Sequence, residues 1–240
     1  MWNPLKRIYL NKILKTKFGD WKINLNVQTL AGRYRIHGGV RFLSHQEAFR
    51  VIQRTLVRSG IGLIYSQGYN PHPKLSLPLP KSVGLASEDE VFCAQIAQTG
   101  PTEKNFENIA GQLPLGFSLT DIAVHNGKVT YKPVEAEYLI EINERESKEI
   151  SAAIDMLNGF IEAGEKIMIE RILDEEGSVK TIDVSGFLKS FEQVSGGVRV
   201  ICKITDKGTI RLDEILRLLK MEPNRIGSSV IRKKVNWQIT

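Results

Sequence analysis

Apolar and polar positions along this chain repeat one coarse pattern twice. In the first pass an extended stretch closes near Ile36. Ser44-His45-Gln46-Glu47 then opens a helix that runs to about Ser59 and stops at Gly60. The S-x-x-E spacing lets Ser44 and Glu47 satisfy each other's orphan amides as a capping box. Phe49, Ile52 and Leu56 form the stripe that should pack on a sheet. Strand-like Ile61–Ser66, Leu75–Leu79 and Val91–Ile96 follow, broken by turn-rich segments. A helix from Thr102 to about Leu113 ends before Pro114, because the residue before a proline disfavours the helical region. Phe117–His125 then reads extended.

In the second pass Glu137–Ile142 is a strand and Glu146–Phe160 a helix, with Ile150, Ile154 and Leu157 at helical spacing. Lys166–Leu173 and Thr181–Val184 are strands around the Glu175-Glu176-Gly177 turn. Ser195-Gly196-Gly197 turns into the alternating strand Val198–Ile204, a helix spans about Leu212 to Leu219, and Val230–Trp237 is the last strand. Both passes reduce to β-α-β-β-α-β with extra hairpin material. The order predicts an α+β protein of tandem ferredoxin-like (βαββαβ) domains with antiparallel sheets, over residues 30–126 and 134–240. Asn126–Val134, with Gly127 and Pro133, is the expected junction.

Composition excludes several classes. At 42% hydrophobic and 25% charged, the 240 residues are globular in character. No apolar run approaches the ~18 residues of a membrane-spanning helix. Two cysteines supply neither a disulfide scaffold nor a self-contained cluster site, so no iron–sulfur cluster and no other cofactor is expected. The net charge of +6 hides an uneven distribution. Residues 1–85 hold 14 Lys and Arg against Asp20 and Glu47, whereas the remainder is net acidic. Such asymmetry suggests a polyanionic partner. Lys6, Arg7, Lys12, Lys15 and Lys17 lie in a basic extension over residues 1–29, read as a solvated segment, a nucleic-acid arm or a membrane-surface helix. No apolar core follows these cations as in a secretory signal, and the expected compartment is the cytoplasm.

The most specific residues lie between 34 and 89. Arg41-Phe42-Leu43-Ser44-His45 precedes a helix bearing repeated arginines. Tyr65-Ser66-Gln67-Gly68-Tyr69-Asn70-Pro71-His72-Pro73 and Leu77-Pro78-Leu79-Pro80 follow it. This long signature resembles the bacterial radical-SAM-linked domain family, of unassigned function. Weaker similarity extends through the second half, so most of residues 30–240 falls within the resemblance. A short His37-Gly38-Gly39 turn and Glu47 depart from the pattern of many relatives. The resemblance implies an accessory role beside a separate, often cobalamin-dependent, radical SAM protein that modifies RNA or protein. It supplies no catalytic residue.

Arg50, Arg54 and Arg58 recur every four positions and so form one ridge of the helix, suited to phosphates. Arg41, Lys74 and Lys81 in neighbouring loops are expected to widen it. In the loop that follows, Pro71 and Pro73 stiffen the backbone around His72, Gln67 and Asn70 add hydrogen-bonding groups, and Tyr65 and Tyr69 offer rings for an unpaired base. His45 stands at the helix start. His37, His45, His72 and His125 show no metal-ligand spacing, so no metal site is expected, and neither a P-loop nor a G-x-G-x-x-G is present. Cys93 and Cys202 lie in apolar strands and read as buried thiols. The expectation is RNA binding, to tRNA or rRNA, beside a radical SAM enzyme, with no membrane involvement and no catalytic residue assigned. The alternatives are a metal-independent endoribonuclease, with a histidine as general acid or base, and a protein-docking subunit without nucleic acid.

Overall fold

The computed structural model describes residues 27–97, 102–172 and 177–240. The basic run at residues 6–17 lies outside them. The first described strand, β1, begins at Gln28, inside the segment expected to be an extension.

The architecture is α+β around one large, mostly antiparallel sheet. In chain order its first half comprises β1 (Gln28–Ile36), α1 (His45–Arg58), β2 (Leu75–Ser76), β3 (Ala86–Ile96), α2 (Thr102–Ala110) and β4 (Phe117–Asn126). The second comprises β5 (Tyr131–Glu141), α3 (Ser147–Ala163), the hairpin β6 (Met168–Ile172) and β7 (Val179–Asp183), β8 (Leu188–Val194), β9 (Gly197–Lys203), α4 (Leu212–Leu218) and β10 (Val230–Ile239). The strand order is β4-β1-β3-β10-β5-β9-β8, with β2 also on β3 and the β6–β7 hairpin forming a separate sheet. The sheet runs through both halves because Ala86 and Ser87 of β3 pair in parallel with Ile231 and Arg232 of β10.

Helical spacing determines the first core. Ala48, Ile52, Thr55 and Leu56 place one face of α1 in the interior. They meet Leu30, Tyr34 and Ile36 of β1, Phe92, Ala94 and Ile96 of β3, and Ile109 of α2. The second core repeats this logic, with Ile150, Ile154 and Leu157 of α3 and Ile215 and Leu216 of α4 over β5, β8 and β9. On the opposite face Ala31, Val91, Cys93 and Tyr131 form a third cluster with Trp237.

The start of α1 is as its spacing predicts. Glu47 N–H donates to Ser44 Oγ at 3.3 Å, and Ser44 N–H donates to the Glu47 carboxylate at 2.8 Å. Replacing Ser44 with alanine is expected to cost about 1 kcal/mol of stability. A denaturant titration checks this; an unchanged midpoint at unchanged slope contradicts it.

Several strand expectations need correction. Ile61–Ser66 makes only the isolated bridges Leu63↔Ile96 and Tyr65↔Pro73, and Leu75–Leu79 shrinks to two residues. Pro71, Pro73, Pro78 and Pro80 have no N–H to give to a ladder. β5 begins at Tyr131, within the expected junction, and β3 begins at Ala86, five residues early. The strand β8 is absent from the sequence reading because a register shift between Leu188 and Ser190 breaks its alternation.

Candidate nucleic-acid interface

With Ile52 and Leu56 turned into the core, the i, i+4 row Arg50, Arg54 and Arg58 is left exposed. Among the described residues no carboxylate forms an ion pair with any of the three. The nearest acid in sequence, Glu47, is committed to the cap. Its carboxyl is held below the usual range chiefly by the Ser44 backbone amide and side chain, with a smaller contribution from Arg50.

The segment after α1 lies along the end of β3. Ile64 N–H donates to Gln95 O at 2.9 Å, Gln95 N–H to Lys74 O at 2.8 Å, and Lys74 N–H to Ile64 O at 2.8 Å. Its tip is closed by a double clamp. Ser66 N–H donates to His72 O at 2.8 Å, and His72 N–H to Ser66 Oγ at 3.0 Å. Gly68, at φ +128°, lets the chain reverse inside this clamp. Gln67, Tyr69, Asn70 and His72 are exposed, and the Tyr69 ring has no cover at all. Tyr65 is half-buried beside Pro73, so only Tyr69 presents a free aromatic face.

Between this loop and α1 lies an open groove of about 590 Å³, lined by His45, Gln46, Phe49, Arg50, Gln53, His72, Pro73 and Leu75. It brings together His45, Arg50 and His72. Phe49, expected on the sheet, lines the groove instead. Lys74 lines a different cavity, of about 370 Å³, with Thr29, Cys93, Lys128 and Thr130. Arg54, Arg58, Tyr65, Gln67, Tyr69 and Asn70 line neither.

Two cations do not extend the arginine row as expected. Lys81 is buried, and its ammonium donates to Arg41 O at 2.6 Å and Ser82 O at 3.0 Å. Burial pulls its pKa down to about 8, against the pull of Glu90 in the other direction. Arg41 is half-buried, with a buried Nε that has no partner among the described residues and a guanidinium 5.0 Å from the centre of the Phe42 ring. His45 is also half-buried, and its Nδ1 likewise has no partner among the described residues. Burial lowers the His45 pKa; Glu90 opposes this, whereas Arg232 and Lys81 add to it.

Sequence reading missed what these groups surround. Glu88, Asp89 and Glu90, which precede the expected strand at Val91, all lie in β3 and reach β10. Glu88 pairs with Lys233, Asp89 accepts from the Val235 N–H at 2.9 Å, and Glu90 accepts from Arg232 Nη1 at 2.5 Å. The Glu90–Arg232 pair is almost fully buried, with Arg232 also donating to Pro80 O at 2.9 Å and lying 5.6 Å from the Tyr138 ring centre. Nearby, Gly84 at φ +86° approaches Gly227 so closely that an added Cβ would lie 2.9 Å from the Gly227 Cα. The one available signal was that residues 88–90 and 232–234 are short runs of opposite charge.

Both thiols are buried. Burial pushes the Cys93 pKa up to about 11 and that of Cys202 up to about 12, so neither is a thiolate near neutrality. Among the described residues no helix is long and apolar enough to cross a membrane.

A family described as an uncharacterized protein conserved in bacteria (DUF2344) matches residues 30–217, which include the whole Arg41–Pro80 signature and α1. The chain belongs to this family. The DUF2344 match therefore extends from β1 through most of α4 and includes every residue singled out around the groove. No curated protein matches. Among solved structures, an unknown protein from Galdieria sulphuraria shows 7% identity over 89% of this chain and 99% of that chain, with a TM-score of 0.22. DyPB from Rhodococcus jostii RHA1 shows 11% identity over 89% and 92%, with a TM-score of 0.20. The encapsulated DyP-type peroxidase from Mycobacterium smegmatis shows 10% over 89% and 92%, at 0.21. Likenesses at these TM-scores carry no argument about this DUF2344 chain.

Proposed function

We propose that this protein is an RNA-binding accessory subunit that presents tRNA or rRNA to a separate radical SAM modifying enzyme in the cytoplasm. The observation that carries RNA binding is the exposed row Arg50, Arg54 and Arg58, in no ion pair among the described residues, beside a groove lined by His45 and His72. Uncompensated cations on one face attract a polyanion, and each phosphate they neutralise releases counterions. Tyr69 at the loop tip supplies the stacking face for an unpaired base. The radical SAM partner follows from the family resemblance alone.

The same reading takes each half as a ferredoxin-like unit, one over residues 30–126 and the other over 134–240. The strand orders β4-β1-β3-β2 and β10-β5-β9-β8 support it, each with a helix after its first and third strands.

One observation favours a second reading, metal-independent RNA cleavage: His45 and His72 line one groove with Arg50. Transesterification uses a base to take the 2′-OH proton and an acid to protonate the leaving oxygen, roles that two imidazoles can fill. The lowered pKa of His45 suits the base.

Electrophoretic mobility shift with tRNA and rRNA tests the main reading. Retarded, intact RNA is expected. Retarded RNA that is cut in EDTA supports the second reading, and no retardation at low salt leaves protein docking as the alternative. Replacing Tyr69 with alanine is expected to cost about 1–3 kcal/mol of single-stranded RNA affinity by anisotropy. Unchanged affinity removes the stacking role.

A further inference from the structure

The chemistry of the groove is distinct from that of the open arginine row. Three groups able to carry positive charge, His45, Arg50 and His72, share its lining with Phe49, Pro73 and Leu75 and with the amides of Gln46 and Gln53. Among the described residues no acidic side chain lines it. At about 590 Å³ it falls within the roughly 300–1,000 Å³ usual for small-molecule sites. His45 also feels two further cations, Lys81 and Arg232, against the single carboxylate Glu90. Both cations are buried, and Lys81 donates to the neutral carbonyls of Arg41 and Ser82. The His45 Nδ1 is buried with no partner among the described residues.

We infer that this groove recognises a phosphorylated RNA end, with the terminal base against Phe49, Pro73 and Leu75 and the terminal phosphate against Arg50, His45 and His72. The inference rests on the RNA-binding reading and names what that site selects. An internal phosphodiester carries one negative charge. A terminal phosphomonoester carries about −1.5 to −2 at pH 7 and offers three strong acceptor oxygens. Three convergent donors, with excess positive charge behind one of them, match the terminal group better. Gln46 and Gln53 can donate to and accept from a base edge.

The site also couples binding to protonation. Glu90 of β3, Arg232 of β10 and Lys81 of the preceding loop act on His45 from behind. Glu47 and Arg50 lie on its own helix, and His72 shares the groove lining. Burial and the two cations hold the imidazole toward its neutral form, and a bound dianion opposes them. Binding of a phosphorylated end therefore favours uptake of a proton on His45, and affinity rises as pH is lowered toward the range, below the usual histidine value, in which the free imidazole titrates.

The test uses the full chain and fluorescence anisotropy. Four RNAs are compared: an octamer with a 5′-phosphate, the same with a 3′-phosphate, the same with hydroxyl ends, and a hydroxyl-ended decamer. One phosphorylated octamer should bind at least about tenfold tighter than the hydroxyl octamer, because charge-assisted hydrogen bonds are at stake. It should also bind tighter than the decamer, which carries about the same total charge but no terminal phosphate. His72→Gln and Arg50→Gln should each shrink the ratio to within about twofold. A wild-type ratio within twofold at both ends overturns the inference while leaving RNA binding intact. Where no RNA binds, the RNA-binding reading itself fails. Nuclear magnetic resonance with uridine 5′- and 3′-monophosphate then decides the groove separately. Shifts of the His45 and His72 C2–H signals, absent with uridine, sustain a phosphate site; no shifts overturn it.

Discussion

Reversing the charge of Arg50, Arg54 and Arg58 to glutamate is expected to abolish measurable RNA binding at physiological salt while leaving the fold intact. All three side chains are exposed and none is in an ion pair among the described residues, so the substitution disturbs no packing. At low salt, where residual binding is measurable, the salt dependence carries the diagnosis. Each phosphate contact on a single strand contributes about 0.7 to the slope of log affinity against log salt, so losing three lowers the slope by about 2. Uniform loss across unrelated sequences marks phosphate contacts; loss confined to one sequence marks base contacts. Unchanged affinity and slope, with unchanged circular dichroism, remove the ridge from the interface.

The second large effect is on stability. Glu90→Gln leaves Arg232 buried beside Lys81 with no carboxylate to balance either, and breaking such a buried pair costs about 3–5 kcal/mol. Glu90 and Arg232 belong to β3 and β10, so the loss falls on the seam that makes the two half-sheets one. Adding Arg232→Met to Glu90→Gln removes the stranded guanidinium, and the double variant should lose less than the two singles together. Guanidinium chloride unfolding of the four proteins checks this. Additive losses would mean that the pair is not coupled. The same experiment probes the groove, because Glu90, Arg232 and Lys81 all act on His45.

Local rules made the first half of the fold legible. The capping box at Ser44 and Glu47, the buried stripe at Ile52 and Leu56 and the outward arginine row follow from spacing alone. The Pro-x-Pro runs explain why the expected strand Leu75–Leu79 does not sustain a full ladder and only Leu75 and Ser76 pair. Long-range partnerships were not legible. Nothing near Lys81 in sequence shows that it turns inward to two backbone carbonyls, and nothing near Glu90 points to Arg232, 142 positions away. The burial of Glu90 depends on its partner strand β10, which its own segment does not reveal. The groove was half visible: His45, Arg50 and His72 were each identifiable, but their convergence depends on the Ser66–His72 clamp and on the course of 61–76 along β3. Phe49, expected to pack on the sheet, lines the same groove.

The most direct test of the central claim is ultraviolet crosslinking of the wild-type protein to bound tRNA or rRNA, with the crosslinked peptides read by mass spectrometry. The expected crosslinks fall on residues 45–58 and 65–74, with Tyr69 and His72 prominent. Crosslinks confined to the second half, or no crosslinked RNA at all, would contradict it.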